Sequence, residues 1–149
     1  MPTYNDGAMP TNADSWAVDT SVAVAALDAS HAYHVICRTA VRKHRPALAG
    51  HAAFETFSVL TRLPGQLSIN APTAQEIIAT VFPSICWIGH DAATALLQRL
   101  GAIGVSGGAV YDALVGEAAR VNKRRLLTRD LRARRTYDLV GADYELIGL

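Results

Sequence analysis

The sequence predicts an α/β protein in which helices cover both faces of a parallel sheet. Short apolar segments of the kind that form buried strands recur along the chain, and longer segments with helical periodicity separate them. This alternation is typical of parallel sheets whose strands are joined by helical crossovers. The 149 residues, 50% of them hydrophobic, suit one domain with one core.

Apolar runs and the residues that end them define the predicted elements. Strands are predicted at 16–18, 47–49, 85–88, 126–128 and 144–147, and helices at about 22–28, 31–45, 51–63, 73–82, 91–100 and 109–122. Pro46 and Pro83 each end a helix, and four glycines between 101 and 108 predict a loop. Residues 1–15 lack a hydrophobic pattern, so we expect a flexible leader at 1–15 before a single domain at 16–149.

Composition excludes several classes of protein. No apolar run approaches the roughly 20 residues that a membrane helix needs, and the N-terminus does not resemble a signal peptide. We therefore expect a cytoplasmic protein without membrane contact.

Cys37 and Cys86 form no CxxC pair, which favours reduced thiols over zinc or redox ligands. Charged residues are 18% of the chain, below the usual ~25%, so we expect a partner chain or a second copy to cover part of the surface.

Four acids stand where a ligand of such a sheet would bind. Asp19 follows the first predicted strand and Asp130 follows the strand at 126–128, and open α/β sheets bind ligands beyond the carboxyl ends of their strands. Glu55 and Asp112 lie in the first turns of predicted helices. If these helices begin at the same edge, the four carboxylates repel one another unless protons or cations compensate. Hard oxygen ligands select Mg²⁺ or Mn²⁺, which activates water and stabilises phosphate charge. The pattern thus predicts a phosphodiesterase centre.

Each acid taken alone also has an ordinary structural explanation. Asp19 and Asp130 can cap the helical segments that follow them. Glu55 and Asp112 favour a helix N-terminus electrostatically. The joint placement of the four, rather than any one of them, favours a catalytic site.

Four segments in order resemble one protein family. They read VDTS at 18–21, AFETFSVLTRLP at 53–64, YDALV at 111–115 and LLTRD at 126–130. They resemble the PIN-domain ribonuclease toxins called VapC, from bacterial toxin–antitoxin pairs, and the second segment is most similar to actinobacterial members. The resemblance spans about residues 16–147. The leader departs from it, because family members often begin close to the first strand, and Met9 is an alternative start.

The resemblance implies both a fold and an activity. The fold is a PIN-like three-layer α/β/α arrangement with a central parallel sheet of about five strands. The activity is that of an endoribonuclease toxin that cleaves structured RNA, such as a loop of transfer or ribosomal RNA. Such proteins are usually homodimers held inactive by an antitoxin whose tail enters the acidic groove. The resemblance also implies that four acids bind one or two Mg²⁺ or Mn²⁺ ions and catalyse the reaction: Asp19, Glu55, Asp112 and Asp130. Thr128 and Ser21 are implied to support them.

Basic residues concentrate in one run. Eight of the 14 lysines and arginines stand between Arg120 and Arg135, with Asp130 as the only acid among them. The run suits phosphate binding, but a solvated helix face or contacts with an acidic antitoxin explain it equally well. Arg129 and Arg132, on either side of Asp130, are the stronger candidates for RNA binding.

Other residues have weaker signals, and for these we favour structural roles. His51 lies one turn before Glu55 and is expected to cap or pack rather than to act as a base or contact RNA. Glu117 falls off the face of Asp112 and is expected to be solvated. The glycines at 101–108 match no phosphate-binding motif. Three large aromatic residues are expected to be core or dimer contacts rather than base-stacking platforms: Trp16, Trp87 and Phe57.

Two other functions remain open at this point. A non-catalytic nucleic-acid-binding regulator would keep the same fold, although the presence of all four acids argues against it. A phosphatase-like α/β enzyme would use a DxD pair after the first strand, whereas Thr20 and Ser21 follow Asp19 here.

Overall fold

The five strands form one parallel sheet. The computed structural model describes residues 15–149, so the predicted leader at 1–15 lies outside the described residues except for Ser15. The sheet has the order β3-β2-β1-β4-β5, and all neighbouring strands are parallel. The strands are β1 (Trp16–Val18), β2 (Ala47–Ala49), β3 (Ile85–Cys86), β4 (Arg125–Thr128) and β5 (Tyr144–Leu146). The predicted three-layer α/β/α fold class is confirmed.

Helices connect successive strands. They are α1 (Thr20–Leu27), α2 (His34–His44), α3 (Ala52–Thr61), α4 (Ala71–Val81), α5 (His90–Ile103), α6 (Ala109–Val121) and α7 (Arg134–Val140), with short 3₁₀ turns at Gly65–Leu67 and Leu131–Ala133. The prediction that α5 ends near residue 100 and that 101–108 is all loop was wrong. The helix includes Gly101 and ends at Ile103, just before Gly104, whose φ of +78° suits the left-handed C-terminal position that glycine favours. Helix α7 was not predicted, because two turns are too short to show a periodicity.

The strand order explains where a ligand would bind. β1 lies in the middle of the sheet. The chain winds from it through β2 to β3 on one side, and then crosses to β4 and β5 on the other side. A sheet of this kind has a crevice at the carboxyl ends of the strands where the winding direction reverses. Val18 pairs with Leu127, and the backbone N–H of Asp19 donates to the Leu127 carbonyl at 3.3 Å. The ends of β1 and β4 therefore lie side by side at this crevice.

Small residues fill much of the core. Buried alanines from strands and helices let the layers approach closely, and larger side chains such as Leu48, Leu60 and Tyr137 fill the remaining space. Cys37 and Cys86 are buried free thiols. No helix in the described part of the chain is both long enough and apolar enough to span a membrane.

The three large aromatic residues differ in burial. Trp16 and Phe57 are partly buried and pack against the core. Trp87 is 51% exposed, so a core role for it is wrong. β3 ends at Cys86, two residues earlier than predicted, and the chain has left the sheet when it reaches Trp87.

Candidate active site

Asp19 is buried and saturated with hydrogen bonds. It directly follows β1 and is only 3% exposed. Its Oδ1 accepts hydrogen bonds from Ser21 Oγ at 2.6 Å and from the backbone N–H of Val22 at 3.2 Å. Its Oδ2 accepts from the Tyr137 hydroxyl at 2.8 Å and from the Thr128 hydroxyl. A carboxylate offers about four lone-pair positions, so the four donors use them all. Burial raises the Asp19 pKa, and the four donors oppose that rise only in part.

Two hydroxyls join Asp19 to the segment that carries Asp130. Thr128 Oγ1 accepts from the backbone N–H of Asp130 at 3.0 Å, and Ser21 Oγ accepts from the backbone N–H of Arg129 at 2.9 Å. Each hydroxyl thus donates to Asp19 and accepts from a backbone N–H just after β4. The acids also cap helices, because Asp19 caps α1 and Asp130 accepts from the N–H of Arg132. The capping explanation and the shared site are compatible.

The four predicted acids line a single cleft. Glu55 lies in the first turn of α3 and Asp112 in the first turn of α6, as expected. The cleft measures about 240 Å³ and is lined by Asp19, Thr20, Ser21, Glu55, Asp112, Val115, Asp130 and Tyr137. None of these lining residues is basic. The structure therefore brings together side chains from four separate elements at the crevice of the sheet.

Charge crowding in the cleft is strongest at Asp112. Burial, and then the charges of Asp130, Glu55 and Asp19, raise the pKa of Asp112 to about 6. Across residues 15–149, however, no three His, Cys, Asp or Glu side chains are close enough to hold a metal ion as they stand. The acids surround the cleft rather than meet in it. A set of repelling carboxylate oxygens is nevertheless the donor chemistry that suits Mg²⁺ or Mn²⁺.

Tyr137 is a residue of this site that sequence reasoning missed. Its ring is 1% exposed on α7, and its hydroxyl contacts Asp19. The ring fits against α6 at Gly116, where an added Cβ would lie 2.9 Å from Tyr137 Cδ1 and 3.0 Å from Val140 Cγ2. A glycine inside the predicted helix 109–122 was the available signal of this close packing.

Glu117 is buried, and its predicted solvation was wrong. It is 1% exposed, and its Oε2 accepts from Arg99 of α5 at 2.6 Å and from Arg120 at 3.1 Å. The side of α6 away from Asp112 faces α5 rather than solvent, so this carboxylate needs arginine partners to be buried.

The basic run does not form one surface. Arg129 lies with its guanidinium carbon 3.5 Å from the centroid of the Tyr33 ring and donates to the Gly148 carbonyl at 3.2 Å. The Arg132 side chain is 97% exposed, with Nε 4.0 Å from Asp130 Oδ1. Other members bond within the fold: Arg120 to Glu117, Arg124 to the Trp16 carbonyl, and Arg125 to Asp143 and Glu145. Of the two RNA-binding candidates, Arg132 has the more accessible charge.

His51 packs but does not cap. It directly precedes α3 and makes no side-chain capping hydrogen bond. Its ring stacks on Tyr111, with centroids 5.0 Å apart and planes 15° from parallel.

Known proteins resemble this chain over most of its length. Residues 17–139 match the family model of the PIN domain. Ribonuclease VapC27 of Mycobacterium tuberculosis is 39% identical over 125 residues, which cover 84% of this chain and 91% of that protein. Ribonuclease VapC40 of the same species is 41% identical over 133 residues, which cover 88% of this chain and 98% of that protein. The chain therefore belongs to the PIN-domain family and, within it, to the VapC group. No solved structure matches it significantly.

Proposed function

We propose that this protein is a Mg²⁺- or Mn²⁺-dependent endoribonuclease and the toxin of a toxin–antitoxin pair. The observation that carries the proposal is the cleft at the sheet crevice, which four carboxylates from four elements line. Relatives named as ribonucleases support RNA as the substrate. A loop of structured RNA, such as transfer or ribosomal RNA, is the proposed target.

The four acids are the proposed ligands of one or two ions. When bound, the ion supplies activation of water and stabilisation of charge on the phosphate. Asp19 has every lone pair in use, so one hydroxyl donor must rotate away to free an oxygen for the ion. We propose that Ser21 and Thr128 support the site by holding Asp19 at a fixed distance from the backbone of residues 129 and 130.

Arginines beside the cleft have two proposed roles. Arg132, with its exposed side chain next to Asp130, is placed to hold an RNA phosphate near the cleft. Arg129 already uses its guanidinium to contact Tyr33 and Gly148. Its proposed role in RNA binding is therefore indirect, by fixing the segment after β4 that carries Asp130 and Arg132.

Partner chains complete the proposal. An antitoxin would occupy the acidic cleft, and the toxin would form a homodimer in the cytoplasm, where its RNA substrates are. The low fraction of charged residues, 18% of the chain, supports a surface that is covered in the assembly. Light scattering checks the dimer, and a monomer at high micromolar concentration would count against it.

Cleavage of total RNA tests the activity. The purified chain is incubated with total RNA in Mg²⁺, in Mn²⁺ and in EDTA, beside Asp19→Asn as the matched control. We expect discrete fragments only from the unmodified chain and only with an ion. RNA binding without cleavage would favour the regulator, and release of phosphate from monoesters alone would favour the phosphatase. Mapping cut ends after brief induction then identifies the target RNA.

A further inference from the structure

We propose that a row of aromatic rings beside the acidic cleft stacks unpaired bases of the RNA substrate. We name this row, formed by His51, Phe54, Trp87 and Tyr111, the aromatic ledge. The inference rests on the proposed function and assigns these four side chains to the contact with the substrate's bases.

The rings of the ledge form a continuous row, in which His51 is partly buried and the other three rings are exposed. Phe54 is 63% exposed, Tyr111 52% and Trp87 51%, and they come from α3, α6 and the segment after β3. His51 stacks on Tyr111 at 5.0 Å between centroids, His51 and Phe54 are 6.4 Å apart, and Phe54 and Trp87 are 5.7 Å apart. Large exposed apolar groups that touch one another mark a binding surface.

The ledge is continuous with the acidic cleft. Phe54 shares helix α3 with Glu55, and Tyr111 shares helix α6 with Asp112, so two of the rings come from the helices that carry two of the acids. A second recess of about 280 Å³ lies beside Phe54 and is lined by Thr20, His51, Phe54, Glu55, Ser58, Val59 and Arg62. Thr20 and Glu55 line the recess and the cleft alike. A strand with its phosphate in the cleft would therefore continue into the recess.

The chemistry of the recess suits a nucleotide. Aromatic faces stack bases with little regard to sequence. Ser58 supplies a hydroxyl for a base edge or a ribose, and the exposed Arg62 supplies a cation for a neighbouring phosphate. A duplex keeps its base faces within its own stack and cannot offer them to the rings.

Fluorescence of a modified base tests the ledge directly. The probe is a ten-nucleotide single-stranded RNA with one 2-aminopurine, whose emission falls when it stacks. All proteins carry Asp19→Asn, so that binding is measured without cleavage. Added to this background are Phe54→Leu, Tyr111→Leu and, as a control, Val35→Ala, which removes exposed apolar surface from α2 outside both the cleft and the recess.

We expect quenching by the background protein and by the control. Each leucine variant should bind about 5- to 150-fold more weakly, the equivalent of losing one base stack, and should lose most of the quenching. A matched duplex should bind more weakly and respond to neither variant. Unchanged affinity and quenching in both leucine variants, or no binding of the probe to the background protein, would overturn the inference.

Light scattering of the same proteins tests whether a second copy of this chain, rather than RNA, covers the ledge. A leucine variant that dissociates a dimer while RNA affinity stays unchanged would assign the ledge to a second copy and also overturn the inference. The proposed function is checked separately, by cleavage of total RNA by the unmodified chain. Cleavage together with leucine variants that bind normally refutes only the ledge, and base quenching without cleavage refutes only the proposed function.

Discussion

Replacing Asp112 with Asn should stabilise the ion-free protein at neutral pH. The pKa of this carboxyl rises from 3.8 to about 6 because the folded state buries it beside three other acids. Each pKa unit corresponds to 1.36 kcal/mol, so the charged form costs at most about 3 kcal/mol. Asp112 is partly exposed, and solvent screening reduces this to about 1–2 kcal/mol. In a domain of this size, the melting temperature should rise by about 3–6 °C.

The effect of Asp112→Asn should depend on pH in a defined direction. Because its pKa is higher in the folded state, Asp112 binds its proton more tightly there than in the unfolded chain. The stability of the unmodified protein from this group therefore falls as pH rises from about 4 to about 6, and the loss is complete above pH 6. The two proteins should be equally stable near pH 4 and differ by the full amount at pH 7.5.

Urea unfolding in EDTA at pH 4, 5.5 and 7.5 measures this difference. Glu76→Gln, which removes an exposed acid on α4, serves as the matched control and should change little. A difference that is the same at pH 4 and pH 7.5, or an Asn variant that is the less stable protein at pH 7.5, would refute the reasoning. Added Mn²⁺ should stabilise the unmodified protein more than Asp112→Asn, since the variant has lost a proposed ligand.

Three further substitutions test other parts of the structure. Asp19→Asn should abolish RNA cleavage yet keep the circular dichroism spectrum, because Asn retains the shape and hydroxyl donors can reverse to accept from its amide; full activity would reject the site. Tyr137→Phe should lower the free energy of unfolding by about 1–3 kcal/mol through loss of a buried hydrogen bond to a carboxylate, and should slow cleavage without weakening RNA binding; unchanged cleavage would remove Tyr137 from the site. Glu117→Gln should lower the free energy of unfolding by about 1–3 kcal/mol, because it removes the buried negative charge that pairs with Arg120 and with the partly exposed Arg99; an unchanged free energy in urea unfolding would contradict that account.

The strand-end acids could be found from sequence because their signal is local. An apolar run followed by an acid marks both sites, directly at Asp19 and three residues after Leu127 at Asp130. Glu55 and Asp112 were recognisable because a helix start is visible in the periodicity around it. The parallel sheet then brings these local features to one edge, which is why their convergence could be predicted without contacts.

Residues defined by distant contacts could not be found in this way. The Tyr137 hydroxyl reaches an acid 118 residues earlier in the chain, and nothing near residue 137 marks that contact. Helical periodicity shows that Glu117 and Asp112 point to different sides of α6, but not that α5 covers the second side. The sequence shows that basic residues cluster between 120 and 135, but not which way their side chains point. That depends on contacts with distant partners, such as Tyr33 for Arg129 and Asp143 for Arg125.

Helix α6 sets a distance between two acids although it bears only one of them. It presents Asp112 in its first turn, and one turn later its bare backbone at Gly116 receives the ring of Tyr137. The hydroxyl of that ring donates a hydrogen bond to Asp19. How closely the ring packs on residue 116 therefore sets the distance between Asp112 on α6 and Asp19 after β1. A methyl group there would force α6 and α7 apart by tenths of an ångström. The spacing of the acids can thus be tuned from behind the cleft, without altering any charge that faces the substrate.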